Sequence, residues 1–306
     1  MGELIAGMAG TPEGEVLAFS LALLSALAHA TFGAINKGGV DPYLNRGAIN
    51  ICYATMALPF ALFVFPLPSA GLVPILAGVY VIHLVYEWLQ ARAFEKGEFI
   101  LVYPIARGTG PLLIAIGSVF LFDEYLGPLQ WFGVLVLSGA IMGLAVANMR
   151  ARRLDPLALP GLRAAILTAL ATGVMIAVYT LYDAYGIRAA EDPFTFLAWF
   201  FVLGGFGFPF IALARWRRLR PEQRPALSDL ATRGIFGALI AFLSFGAVML
   251  ATRLDKVGEA AALRETSIIF ATAIGVFFFH EKIDGTRLAL ILTIMLGAML
   301  VEFGHP

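Results

Sequence analysis

The chain has one cysteine, Cys52, among its 306 residues, so no disulfide can form within it. Charge is scarce. Asp, Glu, Lys and Arg make up 14% of the residues and cancel to a formal net charge of zero, whereas soluble domains carry about 25% charged residues. A neutral chain offers nucleic acid no electrostatic footprint, so that class of partner is excluded. No G-x-x-x-x-G-K-[ST] stretch occurs, which removes the usual nucleotide-driven chemistry. The first 15 residues hold Glu3, Glu13 and Glu15 but neither Lys nor Arg. That is the wrong flank for a secretory signal, and the first apolar segment is expected to stay as a helix. What is abundant is apolar: 60% of the residues are hydrophobic and the mean hydropathy is +0.85. One water-soluble core cannot hide so much, and the excess must meet lipid.

A bilayer core of roughly 30 Å takes about 20 apolar residues per helix. Ten such stretches can be marked, near 16–35, 45–66, 71–94, 99–121, 128–148, 162–185, 193–214, 229–252, 257–279 and 286–303. The expected fold class is therefore all-α integral membrane. Connections are short and carry helix-ending residues, such as Asp41-Pro42, Pro66-Leu67-Pro68, Asp192-Pro193 and Asp284-Gly285. Two are longer and basic, Arg150–Pro160 and Arg215–Pro225, and read as anchors at a membrane face.

Residues 99–127 align with 256–284 at an offset of 157. Arg107 falls on Arg264, Thr109 on Thr266, Phe120 on Phe277 and Glu124 on Glu281. The offset points to a duplication: residues 1–15 as a tail, 16–148 and 162–303 as two five-helix repeats, and 149–161 as a cytoplasmic linker. Five helices is an odd number, so the halves would insert with opposite topology. That pattern marks secondary transporters, whose site lies near the midplane between the repeats.

The stretches Ala106-Arg107-Gly108 to Phe122-Asp123-Glu124, and Leu263-Arg264-Glu265-Thr266-Ser267 to Phe279-His280-Glu281-Lys282, resemble paired signatures of EamA-type members of the drug/metabolite transporter superfamily. The resemblance implies a ten-helix inverted-repeat fold and export of metabolites such as amino acids. The first half departs from the usual closing pattern, with Asp123-Glu124-Tyr125 where a cation often follows the Glu, so the resemblance gives no ground for an ion pair there.

Polar residues inside the spans name the candidate site. Charge at membrane depth costs at least about 2.5–3.5 kcal/mol and must be paired or face a wet cavity. Arg107 lies about nine residues into the fourth span, and Arg264 about seven into the ninth. At 1.5 Å per residue both are near mid-membrane. Each is either a structural ion pair or a bidentate clamp for a carboxylate or phosphate. The third span sets Tyr80, His83, Glu87 and Gln90 on one stripe. Glu87 is the expected counter-charge to the arginines, with Glu87 and Glu265 the carboxylates that could couple transport to protons. His29 in the first span, beside Ser25 and Asn36, and Tyr179 and Tyr182 in the sixth, beside Thr168, Thr172 and Asp183, are further candidates for the cavity wall. Glu265 follows Arg264 directly and should turn about 100° away toward another neighbour. Pro104 and Pro111 flank Arg107 and are expected to bend the fourth span, while the matching Ala261 and Ile268 carry no such signal. No second histidine or cysteine sits at ligand spacing around His83, so neither metal nor cofactor is expected.

The expected function is alternating-access export of a small amino-acid-like or carboxylate-bearing metabolite across the inner membrane. The alternatives are an exporter of organic cations using Glu87 or Glu265, and a membrane enzyme on lipid-linked substrates built on Asp123-Glu124 or His280-Glu281. Expected partners are the small substrate and the bilayer, with a homodimer left open. Orientation follows from the cations. Loops after even-numbered spans carry three, Arg188, Arg253 and Lys256, whereas sixteen, including Lys37, Arg46, Arg150, Arg152, Arg153, Arg215 and Lys282, are on the other side. Both termini should thus lie outside the cytoplasm. A periplasmically active reporter fused after Pro306 is expected to give signal, and a C-terminal green fluorescent fusion to stay dark.

Overall fold

The computed structural model describes residues 2–36, 40–97, 99–152, 161–280 and 284–304. Lys37, Arg153, Glu281, Lys282 and most of the 149–161 linker lie outside the described residues, as do the side chains of Asn36 and Arg152. The described chain is helical throughout: α1 Gly2–Gly7, α2 Pro12–Asn36, α3 Pro42–Phe63, α4 Leu72–Lys96, α5 Phe99–Phe122, α6 Pro128–Arg152, α7 Leu162–Ala189, α8 Pro193–Gly204, α9 Phe208–Arg218, α10 Leu227–Leu254, α11 Val257–Arg264, α12 Ser267–Phe279 and α13 Gly285–Phe303. Ten spans are long and apolar enough to cross a bilayer, α8 with α9 forming the seventh and α11 with α12 the ninth. Their limits follow the expected ones to within a few residues. Helix starts are set by short acidic caps. The Asp41 carboxylate accepts from the backbone N–H of Tyr43 at 3.0 Å and Leu44 at 3.3 Å, and Asp192 accepts from Phe194 and Thr195. A proline follows each at the first helical position, where its missing N–H costs nothing.

Helix ends also show which connections share a face. Arg188, at the end of α7, donates to the carbonyls of Thr252 and Asp255, both at 2.7 Å, and pairs with Glu124 at 2.6 Å. Arg253, at the end of α10, donates in return to the carbonyls of Ile187 and Ala190. The connections after the fourth, sixth and eighth spans thus meet at one end of the bundle. Glu124 thus finds its cation on α7, not at the following residue. Its other oxygen accepts from Val257 N–H at the start of α11, 2.8 Å. Burial raises the Glu124 carboxyl above its ordinary range, opposed by Arg188. At the opposite end Arg215 joins Asp41 at 2.8 Å and Glu95 at 2.9 Å.

Packing relies on small residues. α6 lies on α13 so closely that a Cβ on Gly297 would come 2.7 Å from the Leu137 backbone nitrogen, and one on Gly133 2.8 Å from that of Val301. Such backbone-to-backbone approach is how helices associate without a hydrophobic driving force. α7 packs on α4 and α5, α10 on α2 and α3, and α2 on α11 and α12. Large side chains point outward, among them Phe120 at 82% and Phe277 at 76% exposed.

Two spans are broken, and not the one flanked by prolines. α5 runs through Pro104 and Pro111 as one helix. The ninth span breaks instead after Arg264, where Glu265 and Thr266 N–H groups bond three residues back, to Ala262 and Leu263, and the Thr266 hydroxyl takes the Leu263 carbonyl at 2.6 Å. That hydroxyl competes for the helix ladder, which span-level hydropathy does not register. The seventh span breaks at Gly204–Gly207, with Gly207 at φ +88°.

Among the described residues two non-glycine ones have positive φ, Asp123 and His280, both at +54°. Each follows the end of a long helix, and the two positions correspond under the 157-residue offset. Aspartate and histidine tolerate this left-handed region at a cost that glycine escapes. Asp123→Gly and His280→Gly are each expected to raise stability by about 0.5–1 kcal/mol, read as an upward shift of the unfolding midpoint in detergent.

Candidate functional site

The break in the seventh span frees the Gly204 carbonyl, because Phe208 N–H bonds to Phe206 instead. Asn50 on α3 fills that vacancy, donating to Gly204 at 3.0 Å and to Glu87 Oε2 at 2.7 Å. Glu87 Oε1 pairs with Arg46 Nη2, also at 2.7 Å. Glu87 is therefore held from two sides by α3, and it is not the counter-charge to Arg107 or Arg264. The physical reason is reach: Arg46 sits one turn inside α3 and turns inward, so it is a bundle cation as well as one of the sixteen. The Arg46–Asn50 spacing of i, i+4 puts both on one helix face, a signal available in the sequence and not read.

The ninth span repeats the device. Its break frees the Arg264 carbonyl, since Ile268 N–H bonds to Glu265, and Arg107 Nη2 reaches that carbonyl and the Ser267 hydroxyl, each at 3.4 Å. Arg107 Nε lies 3.0 Å from Glu265 Oε2, without the alignment of a hydrogen bond, so this contact is mainly Coulombic. Of the two alternatives for Arg107, the structural ion pair is the one seen, and Glu265 has turned to another neighbour as expected.

Arg264 differs. It is 3% exposed, its guanidinium carbon lies 5.1 Å from the centre of the Phe245 ring, and its Nε and Nη2 have no acceptor. Phe245 also lines a cavity with Arg46, Tyr80, His83, Glu87 and Phe200. The guanidinium thus stands behind one aromatic wall of a pocket whose opposite polar end is the Arg46–Glu87 pair. Three candidates from the third span line this cavity, Tyr80, His83 and Glu87. Gln90 does not: it donates to the Tyr86 hydroxyl at 2.7 Å. Tyr179 packs behind His83, ring centres 4.9 Å apart, and against Tyr86 at 4.6 Å.

Other candidates fall away from the cavity. His29 stacks at 6.3 Å on Tyr103 and lies 3.5 Å from the Ser244 hydroxyl. Tyr182 lays its hydroxyl over Gly78. Thr168 and Thr172 bond to carbonyls of their own helix. Asp183, read only as the end of a polar stripe, is brought to His83: Nε2 and Oδ2 are 2.8 Å apart, both side chains at most 5% exposed. Among the described residues no three of His, Cys, Asp and Glu are grouped to hold a metal.

The Arg46–Glu87 pair is 12% and 4% exposed at its side chains, and at that depth removing one partner strands the other. Glu87→Ala is expected to lower unfolding stability by about 3–5 kcal/mol, and adding Arg46→Met should recover much of the loss. Both are read by thermal unfolding in detergent.

Residues 163–303 match the EamA-like transporter family. The uncharacterized protein y4nH of Sinorhizobium fredii (strain NBRC 101917 / NGR234) is 33% identical over 99 residues, which is 30% of this chain and 84% of that protein. A solved crystal structure matches 96% of this chain and 99% of its own, with a TM-score of 0.69 and 19% identity, a likeness of fold. Ten apolar spans and these matches agree, and the chain belongs to the EamA-like transporter family.

Proposed function

We propose that this transporter carries a small carboxylate-bearing molecule across the cytoplasmic membrane by alternating access, and that Arg264 holds the carboxylate. The observation that carries the reading is the Arg264 guanidinium: buried, permanently charged, stacked on the cavity ring Phe245 and short of acceptors on two nitrogens. A carboxylate can satisfy both nitrogens in bidentate fashion. The rival organic-cation reading on Glu87 or Glu265 needs one of those two to spare, and both are already opposite guanidinium groups.

Alternating access rests on an inverted repeat, which several features support. Exchanging the halves maps the neighbours of α7, which are α4 and α5, onto those of α2, which are α10 and α11–α12. It maps α3 against α10 onto α8–α9 against α4, and leaves the α6–α13 and α5–α11 contacts in place. Asp123 and His280 share a backbone conformation, and Phe120 and Phe277 share outward exposure. Export is the direction proposed, with both termini outside the cytoplasm, residues 149–161 a cytoplasmic linker, and the first half 16–148 opposed to 162–303.

The test compares Arg264→Lys with Arg264→Ala, each measured for folded yield and for binding or counterflow of aryl carboxylates in proteoliposomes. Lysine keeps the charge and loses the planar fork, so affinity should fall by about ten- to 150-fold, corresponding to roughly 1.5–3 kcal/mol, with yield unchanged. A well-folded Arg264→Ala protein with undiminished flux would remove this residue from the site.

A further inference from the structure

The interior holds a second polar pair that neither the arginines nor Glu87 accounts for. We infer that the His83–Asp183 pair is a proton-binding site whose occupancy is coupled to anion occupancy at Arg264, so that a proton and the anionic substrate are carried together. The inference rests on the assignment of the substrate carboxylate to Arg264.

Three buried carboxylates bear on the question: Glu87 lines the cavity, Asp183 contacts the lining residue His83, and Glu265 contacts Arg107. Glu87 has both oxygens engaged, one by the Arg46 guanidinium and one by Asn50. Glu265 lies against Arg107. Both are faced by a guanidinium, which cannot give up its proton. Asp183 alone has an imidazole as its contacting cationic partner. Its Oδ2 is 2.8 Å from His83 Nε2, and its Oδ1 is buried with no hydrogen-bond partner. An ionised carboxylate with one oxygen stranded is costly at this depth, and a pair made of histidine and aspartate can relieve that cost by taking up one proton. His83 lines the cavity, so a proton can reach the pair from there.

The surroundings fix the sign of the coupling. α4 brings Tyr80, Tyr86 and Glu87, and α7 brings Tyr179 and Tyr182. α3 brings Arg46, already balanced by Glu87, and α5 brings Arg107, already opposite Glu265. α9 carries Arg215 at the far end, with Asp41 and Glu95. α8 contains no titratable residue, and α10 presents Phe245 and Ser244. α11 brings Arg264, and its Glu259 is held by Lys256 and Gln130. α10 also carries Arg253, which donates to the Ile187 and Ala190 carbonyls at the end of α7, and Arg264 has no acid in salt-bridge contact among the described residues. A single ring separates it from the pair: Phe245 lies 5.1 Å from the guanidinium and 6.3 Å from the His83 ring. With no anion on Arg264, its charge is partly offset across that ring by an ionised Asp183. A carboxylate on Arg264 removes that offset and leaves a net negative charge in a low-dielectric interior. One proton added to an N or O of the His83–Asp183 pair restores neutrality. By reciprocity the proton strengthens anion binding by the same factor.

Phenylacetate serves as the probe, its carboxylate for Arg264 and its ring for the aromatic wall. Calorimetry on nanodisc-embedded protein at about pH 5.5 and about pH 7.5 brackets the ordinary histidine value of about 6.5. Wild type should bind on the order of tenfold more tightly at the lower pH, a factor in the range typical of coupled sites, and should take up a proton on binding when buffers of different ionisation enthalpy are compared. Asp183→Asn keeps a side chain able to bond to His83 while fixing it as neutral. It should bind with equal affinity at both pH values and take up no proton. His83→Gln should lose the proton uptake as well. Wild-type pH dependence persisting in a folded Asp183→Asn protein, or wild-type binding without proton uptake, would overturn the coupling and leave the Arg264 assignment standing. Binding unaffected by Arg264→Ala, or no binding to wild type, would instead sink the Arg264 assignment, and the coupling with it.

Discussion

Inside a bilayer a backbone carbonyl that leaves the helix ladder has no water to turn to, and this constraint organises the interior of the protein. Two spans are broken near the middle. The carbonyls they release, Gly204 and Arg264, are met by Asn50 and Arg107. Those two side chains are in turn oriented by carboxylates, Asn50 by Glu87 and Arg107 by Glu265. The buried charges that looked in isolation like liabilities are therefore parts of two capping assemblies. Each trades an expensive ion pair for a helix that can end inside the membrane. The cavity lies where one of these breaks thins the wall, with Gly204 itself on its rim.

Once the pairs that serve the breaks are set aside, what remains is chemically distinct. Arg264 has positive charge without an acid in contact, and Asp183 has negative charge with only an imidazole. Phe245 touches both neighbourhoods, and Phe200 closes the ring around His83 at 4.8 Å. Aromatic walls supply area and polarizable faces without adding a competing hydrogen-bond partner. The site proposed on these residues would select by where charge falls on a molecule more than by its outline.

Much of the architecture could be read from residues alone. Lipid-scale apolar runs are long and nearly uninterrupted, so ten spans emerge from length and hydropathy, and the Asp-Pro starts at Asp41 and Asp192 mark their edges. The placement of His83, Glu87 and Tyr80 together follows from one helical stripe. What escaped was partner choice and local winding. Hydropathy gives depth but not rotation, so nothing on α4 says that Glu87 faces Arg46 and not Arg107. Proline draws attention to α5, yet α5 stays whole, while the break falls at Thr266, whose hydroxyl competes for a carbonyl. Asp183 was visible as a polar residue; its meaning depends on a histidine 100 positions away.

The two capping assemblies also differ in when they can form. Arg46 and Glu87 are 41 positions apart, on consecutive spans, so they can meet soon after both leave the ribosome. Arg107 must wait for a carbonyl 157 positions later. At about 5–20 residues per second that delay is roughly 8–30 s. During it a permanent cation resides in a half-built bundle, with the Tyr103 ring on its own helix beside it. Synthesis order alone leaves Arg107 without the partners it has in the finished fold until the ninth span is made.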